Sequence, residues 1–392
     1  MTLRIAQIAP LAESVPPRTY GGTERVCSWL TEELVRQGHE VTLFASADSS
    51  TSATLAPCCP TGLRRAGVNN HAPSLLLMLD RVRGLAESFD VIHFHVDLYQ
   101  FPLFQDLAWK SLTTLHGRLD LPDIHPVYRT FNDMPLVSVS NAQRRPILDA
   151  NWLATVPHGM PDALIPYSAD RGKYLVFLGR ISPEKRPDRA IEIALRAGIP
   201  LKLAAKVDAV DQEYFDAAVK PWLDDPLIEF LGEIDDAQKS GLLAGALALL
   251  FPIDWPEPFG LVMIEAMSAG TPVIAWHNGS VPEIVDPGVT GFIVQCVDEA
   301  VEALNQVGTL DRLNVRKRFK DRFTVDRMAK NYLMLYRRLA DDSRSSSRSS
   351  AFAESRDGDL SRGLSGPRKR ALSPVDLFED GVAGSRGNNQ WP

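Results

Sequence analysis

The feature that most constrains this chain is a rhythm: short apolar runs alternate with amphipathic stretches, and the alternation starts twice. LRIAQIAP (3–10), ERVCSWLTEELVRQG (24–38) and EVTLFAS (40–46) follow one another at the beginning. In the middle stretch Val26, Trp29, Leu30 and Leu34 fall on one face at the helical period, and Gly38 stands where a helix would stop. Strand, helix, strand in that order predicts a βαβ unit and hence a parallel sheet. Further strands are expected at FDVIHFH (89–95), SLTTLHG (111–117) and PLVSVS (135–140). The rhythm restarts at YLVFLGR (174–180) and continues through RPDRAIEIALRAG, PLKLAAK, LIEFLG, ALLFPI, a helix over 257–268 and TPVIAW. The fold class is therefore α/β, with two doubly wound domains facing across a cleft.

Length agrees with two domains, because 392 residues exceed one ordinary core of roughly 150 to 200 residues. The expected boundaries are a first domain at 1–160, a linker at 161–172, a second domain at 173–323, a further helix at 324–341 and a tail at 342–392. The tail turns to Ser, Arg and Gly, as in SRSSSRSS, with little to bury, so it reads as disordered. Its arginines could touch anionic lipid or an acidic partner, though a solvated end is the simpler reading.

A net charge of −7 argues against a nucleic-acid binder, which needs a basic surface for phosphates. Cys27, Cys58, Cys59 and Cys296 form no CxxC pair, metal pattern or disulfide framework, which fits a reducing cytoplasm. The opening residues read as a strand rather than a signal peptide. The most apolar stretch, GLLAGALALLFPI (241–253), is shorter than the roughly 20 residues of a membrane span.

Open α/β sheets bind ligands beyond the carboxyl ends of their strands. In EPFGLVMIE (257–265), Pro258 and Gly260 form a turn that leaves Glu257 in a loop and starts a helix near Phe259. At about 100° per residue the two glutamates do not share a helix face, so they have separate roles. The first-turn amides of Phe259, Gly260 and Leu261 offer donors, and Glu257 an acceptor, which together suit sugar hydroxyls. The plainer reading of Glu257 is a carboxylate favoured by the helix dipole. Glu265 lies among apolar neighbours and needs partners, which the vicinal hydroxyls of a ribose could supply.

FLGRISPEKRPDRA carries Arg180 and Lys185 just before a helix near Pro187, a pair able to neutralise a diphosphate or simply a solvated basic loop. TYGGTERV places Gly21 and Gly22 at a helix start, where backbone can approach a phosphate; a plain turn is the alternative. The loop lacks GxGxxG, which weakens a nicotinamide-dinucleotide reading. His116 ends a strand at the expected cleft, as a catalyst or a packed histidine. HFHVD (His93, His95, Asp97) echoes a metal-ligand run, but Leu98 stands where the next histidine would be, so a buried strand is preferred and no metal is expected. Glu283 in NGSVPEIV begins a helix with Pro282 in its first turn, or less simply walls the pocket.

Together these segments resemble the family 4 glycosyltransferases, retaining enzymes of the GT-B fold. The resemblance covers residues 1 to about 340 and rests on Glu257-x7-Glu265 followed by AMSAGTPVIAW, with GGTERV, LHG, SVSNAQ, VPHGM, LGRISPEK and GSVPEIV in order. It implies two Rossmann-like domains, the first for the acceptor and the second for a nucleotide-sugar donor. Glu265 would bind the ribose, and Arg180, Lys185 and the Gly22 backbone the diphosphate. Glu257 with the amides of Phe259, Gly260 and Leu261 would hold the sugar. His116 would assist at the anomeric carbon or the 6-hydroxyl. TVDRMAKNYLMLYRRLA would be a helix crossing back to the first domain, with Met328, Tyr332, Leu335 and Tyr336 as its apolar stripe.

Two positions depart from the family pattern: Pro157-His158-Gly159 where Pro-Asn-Gly is common, and Trp255-Pro256 before the motif. The function expected is retaining, metal-independent transfer of a hexose, glucose first and mannose second, to an acceptor hydroxyl, with no cofactor beyond the donor. The acceptor is open among glycan, lipid and small molecule, with peripheral but not integral membrane contact. A sugar-nucleotide epimerase and a non-catalytic sugar-nucleotide sensor are the rival readings.

Overall fold

The first seven strands are short, and all but the two at the sheet edges are largely buried, as parallel strands covered by helices must be. They are β1 (Arg4–Ile8), β2 (Glu40–Ser46), β3 (Thr54–Cys59), β4 (Val91–Phe94), β5 (Ser111–Thr114), β6 (Leu136–Ser138) and β7 (Trp152–Thr155). They form one parallel sheet in the order β3-β2-β1-β4-β5-β6-β7. A second parallel sheet contains β8 (Leu175–Ile181), β9 (Leu201–Val207), β10 (Ile228–Gly232), β11 (Ala248–Phe251), β12 (Val273–Trp276) and β13 (Gly291–Val294), in the order β10-β9-β8-β11-β12-β13. The computed structural model describes residues 2–354, with side chains as far as residue 341. Both sheets lie within one compact unit, Met1–Ser345.

In each sheet the strand order reverses beside the first strand, between β1 and β4 and between β8 and β11. Loops leaving those strands at their carboxyl ends open a crevice. The residues after β1, β4, β5, β8 and β11 are therefore brought together, although they are far apart in sequence.

Three strands escape the apolar-run reading. β3 contains Pro57 and lies at a sheet edge, the one place where a missing backbone donor costs little. β7 and β13 are also edge strands, half-exposed and four residues long, too short for a clear period. The helix after Gly260 begins at Leu261, not at 257, because Gly260 takes the left-handed conformation (φ 80°) and caps it. Its nine residues end at Ala269, where Gly270 (φ 80°) closes the other end.

Residues 161–172 contain no strand and no helix. Here two crossings of the chain meet. The Met160 amide donates to the Phe323 carbonyl at 2.9 Å, and the Val325 amide to the Met160 carbonyl at 2.9 Å. The helix Val325–Glu354 then runs against the first sheet, with Met328, Tyr332 and Tyr336 buried and Leu335 half-buried. It passes the expected end at residue 341 and continues to Glu354, because a helix anchored by packing extends at the cost of one residue per added hydrogen bond. The remainder of the expected tail, 355–392, lies outside the described residues. No described helix is long and apolar enough to cross a membrane.

Candidate functional site

Glu257 is held in place from two directions. Gly279 (φ 56°) brings the NGSVPEIV loop so close that a Cβ there would lie 2.3 Å from the Glu257 backbone. That approach lets the Ser280 amide donate to the Glu257 carbonyl at 2.9 Å and the Ser280 hydroxyl to the Phe259 carbonyl at 2.8 Å. The Glu257 carboxylate accepts from the Trp255 indole N–H at 2.9 Å and from the Lys185 ammonium. The same indole lies 4.6 Å beneath Lys185 Nζ, a cation–π contact. Trp255 thus braces both charges, and the residues expected at the diphosphate and at the sugar form one ion pair.

Arg180 extends from β8 into a cluster of acids. Its guanidinium lies 3.2 Å from Glu184, 3.5 Å from Asp211 and 3.9 Å from Asp208. The loop is therefore not simply solvated and basic; an arriving anion would compete with carboxylates for this cation.

Glu265 is 3% exposed and bonds Lys239 Nζ at 2.6 Å. Lys239, on the helix Asp236–Ala244, also reaches Asp236 at 3.1 Å, and Asp236 pairs with Arg25 from the helix Gly22–Arg36 of the first domain. The partner that a buried glutamate requires is thus supplied by the protein, and a charged chain runs from it across the cleft. Gly21 (φ 150°) starts that helix, where a Cβ would lie 2.8 Å from Pro17 Cβ; Gly22 faces Leu261 across the cleft, its Cβ position 3.6 Å from Leu261 Cδ1.

His116 follows two residues after β5, beside two other histidines. Its Nε2 lies 2.9 Å from His95 Nδ1, and its ring stacks on His158 at 5.1 Å and 17°. His158 in turn meets Phe259 edge-on at 4.8 Å. Burial pushes the His116 imidazole down to about 3, and burial followed by the neighbouring histidine charges lowers His95 and His158 as well, so all three rings are neutral at pH 7. His93 and His95 are not arranged as metal ligands: His93 bonds Tyr336 OH and Thr114, His95 bonds Gln7 and His116. No group of three or more His, Cys, Asp or Glu side chains able to hold a metal ion occurs among the described residues.

One cavity of about 560 Å³ is walled by Gly21, Gly22 and His116 from the first domain and by Arg180, Lys185, Glu257, Phe259, Gly260, Leu261 and Glu265 from the second. Glu283 is elsewhere: its carboxylate accepts from the amides of Asn141 and Ala142, joining the two domains. Lys239, Asp236 and Arg25 also line the cavity and were not singled out from sequence. Lys239 and Asp236 sit in DAQKSG, an ordinary amphipathic helix start, whereas Arg25 follows GGTE and could have been read with it.

A family profile described as Glycosyl transferases group 1 matches residues 166–323, and one described as Glycosyltransferase Family 4 matches residues 20–181. A D-inositol 3-phosphate glycosyltransferase of Streptomyces scabiei is 35% identical over 168 residues, 40% of this chain and 35% of that protein's length. A phosphatidyl-myo-inositol mannosyltransferase of Mycolicibacterium smegmatis is 26% identical over 341 residues, 79% of this chain and 85% of its own length. The solved structure of a glycosyltransferase involved in avilamycin A biosynthesis superposes with a TM-score of 0.67 at 25% identity, over 86% of this chain and 98% of that one. The two profiles overlap over residues 166–181, the end of the connecting segment and β8, and the neighbour shares the two-domain architecture. On those matches, and with both glutamates and both cations facing one interdomain cavity, the chain belongs to the family 4 glycosyltransferases.

Proposed function

We propose that this protein transfers a hexose from a nucleoside diphosphate sugar to an acceptor hydroxyl, with retention at the anomeric carbon and without a metal. The observation that carries the reading is the single cavity lined by Gly22, Arg180, Lys185, Glu257 and Glu265. Glu265 would hold the ribose, Arg180 and Lys185 the diphosphate, and Glu257 with the helix-start amides the sugar hydroxyls. Lys185 pairs with Glu257 and Lys239 with Glu265, so donor binding would exchange these pairs for hydroxyl and phosphate contacts.

As the glycosyl–phosphate bond breaks, positive charge grows on the sugar and negative charge on the departing diphosphate. Arg180 and Lys185 would stabilise the latter from fixed positions, the part a metal ion plays elsewhere. Glu257 is tied to Lys185 and Trp255 and is a poor nucleophile in that state. The acceptor oxygen would then bond the anomeric carbon on the face the phosphate leaves, and the leaving phosphate oxygen would take the acceptor proton. Trapping a glycosyl adduct on Glu257 would contradict this route.

UDP-glucose is the first donor to test and GDP-mannose the second. The thermal midpoint with UDP, GDP and ADP in turn comes first, because a ligand selective for the native state raises it by mass action. A rise with one nucleotide, lost in Glu265→Ala, is expected. Acceptor-dependent release of that nucleotide in the presence of a chelator then tests transfer. Sugar interconversion without an acceptor would indicate an epimerase, and binding without turnover a sensor.

A further inference from the structure

We propose that Gln7 and His95 are positioning residues that fix the tautomer of His116, a residue lining the cavity, so that its Nδ1 is left as a bare acceptor for a hydroxyl of the donor sugar. The direction of each hydrogen bond carries this assignment, which rests on the proposed function only for the identity of the ligand.

Gln7, on β1, donates its amide N–H to Tyr336 OH at 3.0 Å. Its oxygen therefore faces His95 Nε2, 2.8 Å away. An amide oxygen can only accept, so His95 Nε2 carries the proton. A neutral imidazole with that nitrogen protonated has its lone pair on Nδ1, which lies 2.9 Å from His116 Nε2. His116 Nε2 must then donate, and the lone pair of His116 falls on Nδ1. That atom is buried and makes no hydrogen bond among the described residues, while its residue lines the cavity.

The other branch agrees in direction. Tyr336 OH, having accepted from Gln7, donates to His93 Nδ1 at 2.7 Å, which leaves His93 Nε2–H to donate to Thr114 Oγ1 at 2.7 Å. Apart from His116 Nδ1, each ring nitrogen and hydroxyl of the relay has a partner while neutral, as a buried network requires. The low proton affinity of His93, His95 and His116 is consistent with this. Tyr336 stands on the helix Val325–Glu354, so the element that crosses back to the first sheet orients a ring at the cavity. A bare acceptor selects for a hydroxyl and against a group that can only accept.

The test is the imidazole nitrogen spectrum of the full chain labelled with ¹⁵N-histidine at pH 7, where a protonated and a bare nitrogen differ widely. The expected result is His116 with a protonated Nε2 and a bare Nδ1. In Gln7→Leu, which removes the oxygen that fixes the direction, His116 should populate both tautomers. His95→Leu should lower kcat by about tenfold, the scale of one hydrogen bond, with donor KM nearly unchanged. His95→Asn, whose amide oxygen can stand where Nδ1 stood, should restore most of that loss. A proton on His116 Nδ1 in the unaltered protein would overturn the proposal, as would an unshifted tautomer in a folded Gln7→Leu protein. The spectrum reads the tautomer whether or not the protein transfers sugar, so failure of the relay and failure of the transferase reading are separable.

Discussion

At the scale of single residues, the site is built from charges that neutralise one another. Glu265 and Lys239 are both buried, and each is the other's direct partner. Removing one leaves a buried charge, which typically costs about 3 to 5 kcal/mol. Lys239→Met should therefore lower the unfolding free energy by that amount, read as a lower urea midpoint at unchanged m-value, and Lys239→Met with Glu265→Gln should regain most of it. A single variant within about 0.5 kcal/mol of the parent would show that the pair is not buried in solution. Lys185 is different, being partly exposed beside Glu257. Lys185→Ala should leave the fold intact while turnover falls roughly tenfold to a hundredfold, the scale of one charge-assisted contact of about 1.5 to 3 kcal/mol. Near-normal turnover would remove Lys185 from the reaction. Arg180 and Lys185 were legible because basic side chains at and just past the end of an apolar strand are conspicuous. Their acidic partners were not, since Asp208 and Asp211 come from the loop after β9 and reach Arg180 only in the folded sheet.

At the scale of elements, glycines permit the close approaches that shape the site. Gly159 sits where the two interdomain crossings pair, and a Cβ there would lie 2.3 Å from the Thr324 carbonyl oxygen. Backbone cannot yield that distance cheaply, so Gly159→Ala should destabilise by about 1 to 3 kcal/mol, read by chemical denaturation. The neighbouring His158, on the same short segment, stacks on His116, so this variant should also alter turnover if the stack orients the ring. A Gly159→Ala protein as stable as the parent would mean that the crossings separate easily. The helix at 257–268 was legible in kind but not in its start, because Gly260 postpones the first turn through a conformation that sequence spacing does not reveal. The stripe on the closing helix was legible as apolar. Two of its members are tyrosines whose hydroxyls enter the polar relay with Gln7, His93 and Thr114, a use visible only with β1, β4 and β5 in place.

At the scale of the whole molecule, the buried histidines make stability depend on pH. His93, His95, His116 and His158 all bind protons less readily in the folded state than in the unfolded chain, where the ordinary value is near 6.5. The unfolded state therefore takes up more protons as pH falls, and stability drops. The contribution is complete above about pH 6.5 and is lost below it, toward the folded value of about 3 for His116, at up to roughly 1.4 kcal/mol per histidine per pH unit. Carboxylates lowered by their partners, such as Asp48 and Asp236, lose stability only near and below the carboxylate range, so they do not account for a fall above pH 5. Glu24, raised by burial, works in the opposite sense. The melting temperature should fall steadily from pH 7 to pH 5, and the slope should be shallower in His158→Phe. A flat profile over that range would mean that these rings are hydrated or already charged.

The sequence by itself determined the two doubly wound domains and part of the cavity lining, because apolar periodicity and strand-end motifs are local signals and a parallel sheet leaves few ways to arrange them. Only the tertiary structure decided the partners. The bonds of Lys239 with Glu265, Arg25 with Asp236, and His116 with His95 join residues from different helices, loops and strands, and no local pattern records them. Charge pairing and proton direction depend on distance in space, and that distance exists only once both sheets have formed.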